Sequence, residues 1–324
     1  MPVIKWGIVG CGDVCEVKSG PGFQKAANSE LVAVMRRNAR MAEDFARRHN
    51  VPRWYSDAGT LINDPEVNAV YIATPPGSHL EYTRMAARAG KPVYVEKPMA
   101  RNYEECQAML EACREAGVPL FVAYYRRAMP RFLHIKQLLE EGVIGEVRLV
   151  TVQLYQAPPV AGAQLPWRVQ PEISGGGLFV DVGSHALDLL DFYFGPVQQV
   201  AGFAANQGGY YPVEDLVTAS FVHTSGVQVS GSWCFTTSQL SDRIEIVGSQ
   251  GKISFALLAP DPILLTTTKG TQQIEFGYPP HVQQPLIQTV VDQLNGVGVC
   301  ASTGESAART SKVMDAVLKS YQQV

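Results

Sequence analysis

The sequence predicts an α/β protein in two parts: a doubly wound parallel sheet over residues 1–123, and an α+β domain with a large mixed or antiparallel sheet over residues 124–324. Three observations predict this. The first third alternates short, nearly continuous apolar runs with amphipathic stretches, as strands buried on both faces and separated by helices require. Beyond residue 123, β-branched and aromatic segments follow one another with short turns between them, the pattern of antiparallel or mixed pairing. The length, 324 residues, suggests two domains at about 150 residues each, enough to bury a core without disulfides or a structural metal.

Each element has its own signal. Val3–Val9 reads as the first strand and runs into a glycine turn. Leu31–Met35 is the second strand, and Met41–His49 is helical. Ala69–Thr74 (AVYIAT) is a buried strand, followed by a helix over His79–Ala89 that stops at Gly90. Val93–Glu96 is a strand, Tyr103–Ala116 a helix stopped at Gly117, and Leu120–Ala123 the last strand of the series. A helix over Arg131–Glu141 opens the second part. Strands follow in VRLVTVQLY, LVTASFVH, VQVSGSW, RIEIVG and KISFA, with turns at Thr224-Ser225-Gly226 and Gly248-Ser249-Gln250-Gly251. A final helix, Ser306–Tyr321, closes the chain and is free to pack on the first domain.

Composition excludes several function classes. The formal net charge of -3 gives no global pull toward nucleic acid or an anionic membrane, so neither is expected as a partner. No apolar run reaches about 18 residues, which argues against a transmembrane helix. The N-terminus lacks the basic, apolar and small-residue regions of a secretory signal, so the expected location is cytoplasmic. Cys11, Cys15, Cys106, Cys113, Cys234 and Cys300 show no Cys-x-x-Cys pair and no zinc spacing. They are expected to be free thiols, with no metal site.

The glycine turn is the first chemical signal. Gly7-Ile8-Val9-Gly10-Cys11-Gly12-Asp13-Val14-Cys15 carries two-thirds of a G-x-G-x-x-G fingerprint, with Cys15 in the third slot. The first glycine permits a tight turn, the second lets backbone approach a pyrophosphate at a helix N-terminus, and the third eases helix packing. Gly10, Cys11, Gly12, Asp13 and Val14 are therefore candidate dinucleotide contacts. At the end of the second strand, where a carboxylate would bind the ribose hydroxyls of NAD, the chain has Arg36-Arg37-Asn38. Guanidinium groups bind a 2′-phosphate, so NADP(H) is favoured and NAD(H) stays open. Gly20-Pro21-Gly22 breaks the helix after the turn unusually early.

Three further segments, ATPPGSH (Ala73–His79), VEKPMA (Val95–Ala100) and WRVQPEISGGGLFVDVGSHALDLL (Trp167–Leu190), follow the glycine turn in order. Together they resemble the Gfo/Idh/MocA family, the glucose–fructose oxidoreductase and inositol dehydrogenase group, over nearly the whole chain. The resemblance implies a Rossmann domain followed by an α+β domain whose open sheet faces the active site or an oligomer partner, in a homodimer or homotetramer. It maps catalysis onto Lys97, Asp181 and His185. It lays Thr74, Pro75 and His79 along the cofactor, makes Glu96 and Lys97 beside it cofactor contacts too, and puts Trp167 and Arg168 near the nicotinamide end. It also turns one tyrosine after the last Rossmann strand, Tyr124 or Tyr125, toward substrate.

The residues themselves fit that chemistry. Hydride transfer between a carbinol and a nicotinamide needs a group to accept or donate the hydroxyl proton. Lys97 lies at the carboxyl edge of the sheet, where doubly wound folds bind ligands. Asp181 and His185, four apart, would share one face of a helix, with Asp188 continuing the stripe. A carboxylate beside a histidine raises its proton affinity and sets its tautomer. In this assignment His185 exchanges the proton, Asp181 orients it and Lys97 binds the substrate oxygen; the competing assignment makes Lys97 the acid/base. The resulting expectation is an NADP(H)-dependent oxidoreductase acting on a sugar, anhydro-sugar or cyclitol. A redox-assisted glycoside hydrolase or lyase with tightly bound NAD and a dihydrodiol dehydrogenase-like enzyme are the alternatives. A non-catalytic dinucleotide sensor is disfavoured by the retention of Lys97, Asp181 and His185. The irregular loop from Ala157 to Ile173, with Pro158, Pro159, Gly162 and Pro166, is expected to act as a lid or an oligomer contact.

Overall fold

A computed structural model describes residues 1–159, 164–319 and 321; Gly162 of the expected lid loop lies outside the described residues. The chain forms two compact units, neither continuous in sequence. The first comprises residues 1–129 and 279–308, the second residues 130–278 and 309–324.

The first unit is built on β1 (Ile4–Val9), β2 (Ser29–Met35), β3 (Arg53–Tyr55), β4 (Ala69–Ile72), β5 (Val93–Val95) and β6 (Leu120–Val122). They pair in parallel in the order β3-β2-β1-β4-β5-β6. The order reverses between β1 and β4, so ligands are expected at the carboxyl ends beside that point. Alternate residues of one strand feed two cores: Val70 and Ile72 lie in one apolar cluster, Ala69 and Tyr71 in the other. Burial on both faces is why these strands read as unbroken apolar runs. β3 and the helix Ala58–Ile62 are too short to show a period in the sequence. The remaining boundaries moved by one to two residues, as frayed ends do.

The early helix break has a packing cause. The helix Asp13–Val17 stops, and Gly20–Lys25 forms a second short helix with Pro21 in its first turn. A Cβ on Gly20 would stand 2.3 Å from the Cys15 carbonyl oxygen, and one on Gly22 3.0 Å from Ile287 Cδ1. Ile287 belongs to the helix Gln284–Leu294, which the sequence reading did not anticipate. It places Leu286, Ile287, Val290 and Val291 among Trp6, Phe23, Tyr71 and Tyr94. Farther along the same returning segment, Ser302 binds β6: its Oγ donates to the Val122 carbonyl at 2.6 Å, and its own carbonyl accepts from Val122 N–H at 3.1 Å.

The second unit opens with the helix Pro130–Glu140. Its sheet comprises β7 (Val147–Tyr155), β8 (Val197–Ala205), β9 (Leu216–His223), β10 (Gln228–Cys234), β11 (Ser241–Gly248), β12 (Gly251–Phe255), β13 (Ile263–Thr267) and β14 (Gly270–Ile274). The order is β14-β13-β12-β11-β7-β10-β9-β8, antiparallel except for the β7–β10 pair, hence mixed. One face is apolar and buried, with Val150, Val152, Val217, Phe221, Val229 and Trp233. The opposite face carries Gln153, Thr218, Ser220 and Ser230 in the open. The helix Ser184–Phe194 buries Asp191, which accepts two hydrogen bonds from Arg309 at 2.8 and 2.7 Å. The last helix runs over Gly304–Leu318 rather than Ser306–Tyr321. Its Ala307 and Ala308 belong to the core of the first unit. Among the described residues no helix is long and apolar enough to cross a membrane. All six cysteines are free thiols, and among the described residues no three His, Cys, Asp or Glu side chains cluster as metal ligands.

Candidate active site

The carboxyl edge of the six-stranded sheet gathers most of the candidates. Gly10 has φ +92, and a Cβ there would lie 2.6 Å from Thr74 Cγ2, so both conformation and space demand glycine. The N–H groups of Gly10 and Cys11 donate to the Met35 carbonyl at 2.9 and 3.0 Å, tying the turn to the end of β2. At Gly12 a Cβ would meet nothing nearer than 3.9 Å. That open cradle, which any side chain would fill, fits the close approach of a dinucleotide pyrophosphate to backbone. Asp13 and Val14 begin the helix beyond it. The thiols of Cys11 and Cys15 are fully buried and inert: burial pushes Cys11 up to about 11 and Cys15 higher still.

At the end of β2, Arg36 is half-buried and Arg37 and Asn38 are exposed. The Asn38 side chain caps the helix Ala39–Arg48 by accepting from Met41 N–H at 3.3 Å. Among the described residues, neither Arg36 nor Arg37 has a carboxylate partner. On the next strand end, Thr74 Oγ1 accepts from Ser78 Oγ at 2.8 Å, and Pro75 leads into the short turn Pro76–Ser78. The sequence reading lays His79 along the cofactor; its ring has no exposed surface, and its nitrogens lie 2.7 Å from the Thr74 carbonyl and 3.1 Å from the Met99 carbonyl. Burial lowers its proton affinity. It therefore joins the loops after β4 and β5.

Glu96 and the half-buried Lys97 follow β5, and the Lys97–Pro98 peptide is cis. The Glu96 carboxylate is almost wholly buried. Its Oε1 accepts from Tyr71 Oη and from Gln283 Nε2, both at 2.5 Å, and its Oε2 accepts from the Lys97 peptide N–H at 3.2 Å. Of the two candidate tyrosines, Tyr124 is 1% exposed and packs in an apolar cluster, while Tyr125 is half-buried under the Arg126 guanidinium at 5.0 Å. Position 124 falls on the core side of the chain leaving β6, and residue type alone could not tell the two apart.

The second unit holds the other candidates. Trp167 and Arg168 lie in a single 3₁₀ turn, with the guanidinium 4.5 Å above the indole. Arg168 Nε pairs with Asp181 Oδ2 at 3.0 Å. Asp181 and His185 do not share an unbroken α-helical face. Phe179–Gly183 is a π-helical turn, and the α-helix starts only at Ser184, so the wider turn displaces the pair from simple i, i+4 register. Gly183 permits this turn: a Cβ there would lie 2.6 Å from Phe179 Cδ2 and 3.3 Å from Trp233 Nε1. Asp181, His185 and Asp188 are all buried.

Two positions escaped the sequence reading. Glu214 is buried, accepts from Gly177 N–H at 2.7 Å, and is pushed up to about 7 by burial. It explains the third glycine of Gly175-Gly176-Gly177, because a Cβ at Gly177 would lie 2.4 Å from the Glu214 carbonyl oxygen. An acid opening an apolar strand was its only local signal. Gln283 had none.

Comparison with known proteins agrees with this architecture. Residues 4–124 match an oxidoreductase family with an NAD-binding Rossmann fold, and residues 132–254 match the GFO/IDH/MocA C-terminal domain. The chain is 41% identical over 317 residues to an oxidoreductase of Formosa agariphila, covering 96% of this chain and 97% of that protein. It is 27% identical over 321 residues to 1,5-anhydro-D-fructose reductase of Ensifer adhaerens, covering 97% and 95%. It is 31% identical over 260 residues to trans-1,2-dihydrobenzene-1,2-diol dehydrogenase of Danio rerio, covering 77% and 73%. The solved aldose-aldose oxidoreductase of Caulobacter crescentus, complexed with glycerol, shares the fold with a TM-score of 0.89 at 22% identity, covering 99% and 98%. The glycine turn, the Glu-Lys-Pro strand end, the mixed sheet and these matches place the chain in the Gfo/Idh/MocA family of oxidoreductases.

Proposed function

We propose that the chain is an NADP(H)-dependent oxidoreductase working on a carbinol or carbonyl carbon of a sugar, anhydro-sugar or cyclitol in the cytoplasm. One observation carries the redox reading: the open cradle at Gly12 and the Glu96-Lys97 strand end occupy the same carboxyl edge of a parallel sheet. Bound there, the nicotinamide would exchange hydride with the substrate carbon. Gly10, Cys11, Gly12, Asp13 and Val14 would hold the pyrophosphate on backbone, and Thr74 and Pro75 would line its path. Arg36 and Arg37, without carboxylate partners among the described residues, are available to a 2′-phosphate; this supports NADP(H) over NAD(H).

In the proposed division of labour, Lys97 binds the substrate oxygen and stabilises developing alkoxide, and His185 exchanges its proton. Asp181, fixed by Arg168, orients the imidazole. The Ensifer reductase, similar over nearly the full length, supports an anhydro-sugar class of substrate. The Danio rerio relative, more nearly identical over a shorter span, favours a dihydrodiol as second reading. The open face of β7, β10 and β9 supports a homo-oligomer joined through the sheet, since Phe203 stands 76% exposed on β8, the edge strand beside β9.

An NADP(H) absorbance screen over anhydro-sugars, sugars, inositols and trans-dihydrodiols, run in both directions, tests the reading. Turnover of an anhydro-sugar with NADPH is the expected result. Turnover of dihydrodiols alone would transfer the assignment to the second reading. Retained cofactor without net consumption would make the enzyme a redox-assisted hydrolase or lyase.

A further inference from the structure

We propose that Gln283 is a positioning residue for Lys97, acting through Glu96, and that the Gly20-Pro21-Gly22 break serves to seat it; the proposal rests on the reading of Lys97 as a substrate-binding group. Gln283 lies 187 positions from Glu96 in sequence, at the start of the segment that returns to the first unit. It has no exposed surface. Burying an amide is costly unless both ends are bonded, and here both are: Nε2 donates to Glu96 Oε1 at 2.5 Å, and Oε1 accepts from Tyr94 Oη at 3.2 Å. Tyr71, whose ring stacks on Tyr94 at 5.0 Å, supplies the second donor to the same carboxylate oxygen.

This geometry leaves Glu96 one orientation. With Oε1 pinned by two donors, Oε2 faces the peptide N–H of Lys97. A shift of Gln283 therefore turns the carboxylate and moves the backbone from which the Lys97 side chain starts. Such a displacement matters for a group that must meet a substrate oxygen at hydrogen-bond distance.

The other end of the linkage is the break after the helix that follows the glycine turn. Gln283 N–H donates to the Lys18 carbonyl at 3.2 Å, just past the helix Asp13–Val17. Two residues earlier, His281 Nδ1 lies 2.7 Å from the Val17 carbonyl, and its Nε2 lies 2.8 Å from Lys25 Nζ. A Cβ on Gly22 would come within 3.3 Å of Gln284 Cα and 3.4 Å of its nitrogen. A side chain at position 22 would press on the backbone of Gln284, the residue next to Gln283. One residue thus ties the end of the helix Asp13–Val17 to the strand end that carries Lys97.

The test compares Gln283→Met, which keeps the volume and removes the donor and acceptor, with Glu96→Gln and the double variant. Gln283→Met is expected to lower kcat roughly 10- to 100-fold while the NADPH Kd changes less than about threefold. In cofactor-free protein, the rate at which acetic anhydride acylates Lys97, read by mass spectrometry, should change by more than about threefold. The double variant should be no slower than the slower single, because both act in one linkage. Additive losses, or a Gln283→Met protein with wild-type kcat and Lys97 acylation, would overturn the proposal. If Gln283→Met does not fold, Gln283→Asn keeps a polar amide but draws it one methylene back from Glu96, and unchanged kcat and acylation there overturn the proposal equally. Full activity in Lys97→Met would refute the role of Lys97 itself, and the acylation rate would then decide alone whether Gln283 positions it.

Discussion

Lys97 and His185 differ in what surrounds them, and so in how they should respond to substitution. Lys97 is half-buried on a strand end whose backbone Glu96 holds; His185 is buried on the first turn of a helix. Lys97→Met and His185→Ala are each expected to lower kcat by about 10²- to 10⁴-fold at saturating NADPH, the range for a lost acid/base or oxyanion partner. Full activity in both would refute the assignment. Arg36 and Arg37 permit a second test. Replacing both with Ala should weaken NADPH about tenfold or more, the value of one charge-assisted contact, and leave NADH within about twofold. Titration by cofactor fluorescence reads both constants, and equal losses for the two cofactors would remove the 2′-phosphate role. Arg36, Arg37 and Lys97 were legible because each lies next to a strand end, and His185 because of its spacing from Asp181. The sequence could not separate Tyr124 from Tyr125, because which ring faces the core depends on how the chain leaves β6.

Among the elements, the turn carrying Asp181 departs most from a sequence-based expectation. Four-residue spacing normally means one helical face, but Phe179–Gly183 is a π-helical turn, with the Phe179 ring packed where a Cβ on Gly183 would stand. Glu214 braces the glycine run just before it. Its folded-state value of about 7 lies above the ordinary 4.5, with desolvation the main cause and the Gly177 N–H opposing it. A raised carboxyl stabilises the fold fully below about pH 4.5 and loses that contribution as pH rises through about 7. Glu214→Gln should therefore melt close to wild type near pH 5 and be the more stable near pH 8, by at most about 3 kcal/mol. Thermal denaturation of both proteins across this window checks it; parallel curves would show that Glu214 does not titrate there. The early break at Gly20-Pro21-Gly22 was visible in the sequence, but its reason was not, because the atoms that need the space belong to Gln284 and Ile287.

Across the whole molecule, the chain interleaves its two units: residues 279–308 return to the first after the second has formed its sheet. The eight-stranded sheet buries one face and leaves the other lined by Gln153, Thr218, Ser220 and Ser230. Phe203→Glu should shift the sedimentation coefficient of the assembly toward the protomer, because a charge there would have to be desolvated in an interface. A wild-type protein that sediments as a monomer would overturn the oligomer reading. The division near residue 123 read from the sequence followed the end of strand–helix alternation. The chain instead leaves the first unit after Met129, since the turn Tyr125–Ala128 still belongs to it.

The sequence by itself determined the parallel sheet, the glycine turn and the strand ends that carry Arg36, Thr74 and Lys97. These depend on neighbouring residues: burial on both faces writes an unbroken apolar run, and the positive φ of Gly10 is a local demand. Only the tertiary structure decided that Gln283 holds Glu96, that Arg168 pairs with Asp181, and that Glu214 fills the space left by Gly177. The reason is physical. Closing a loop becomes only slowly more costly as it lengthens, so a partner can come from 187 residues away, and contacts at that separation leave no periodicity in the chain.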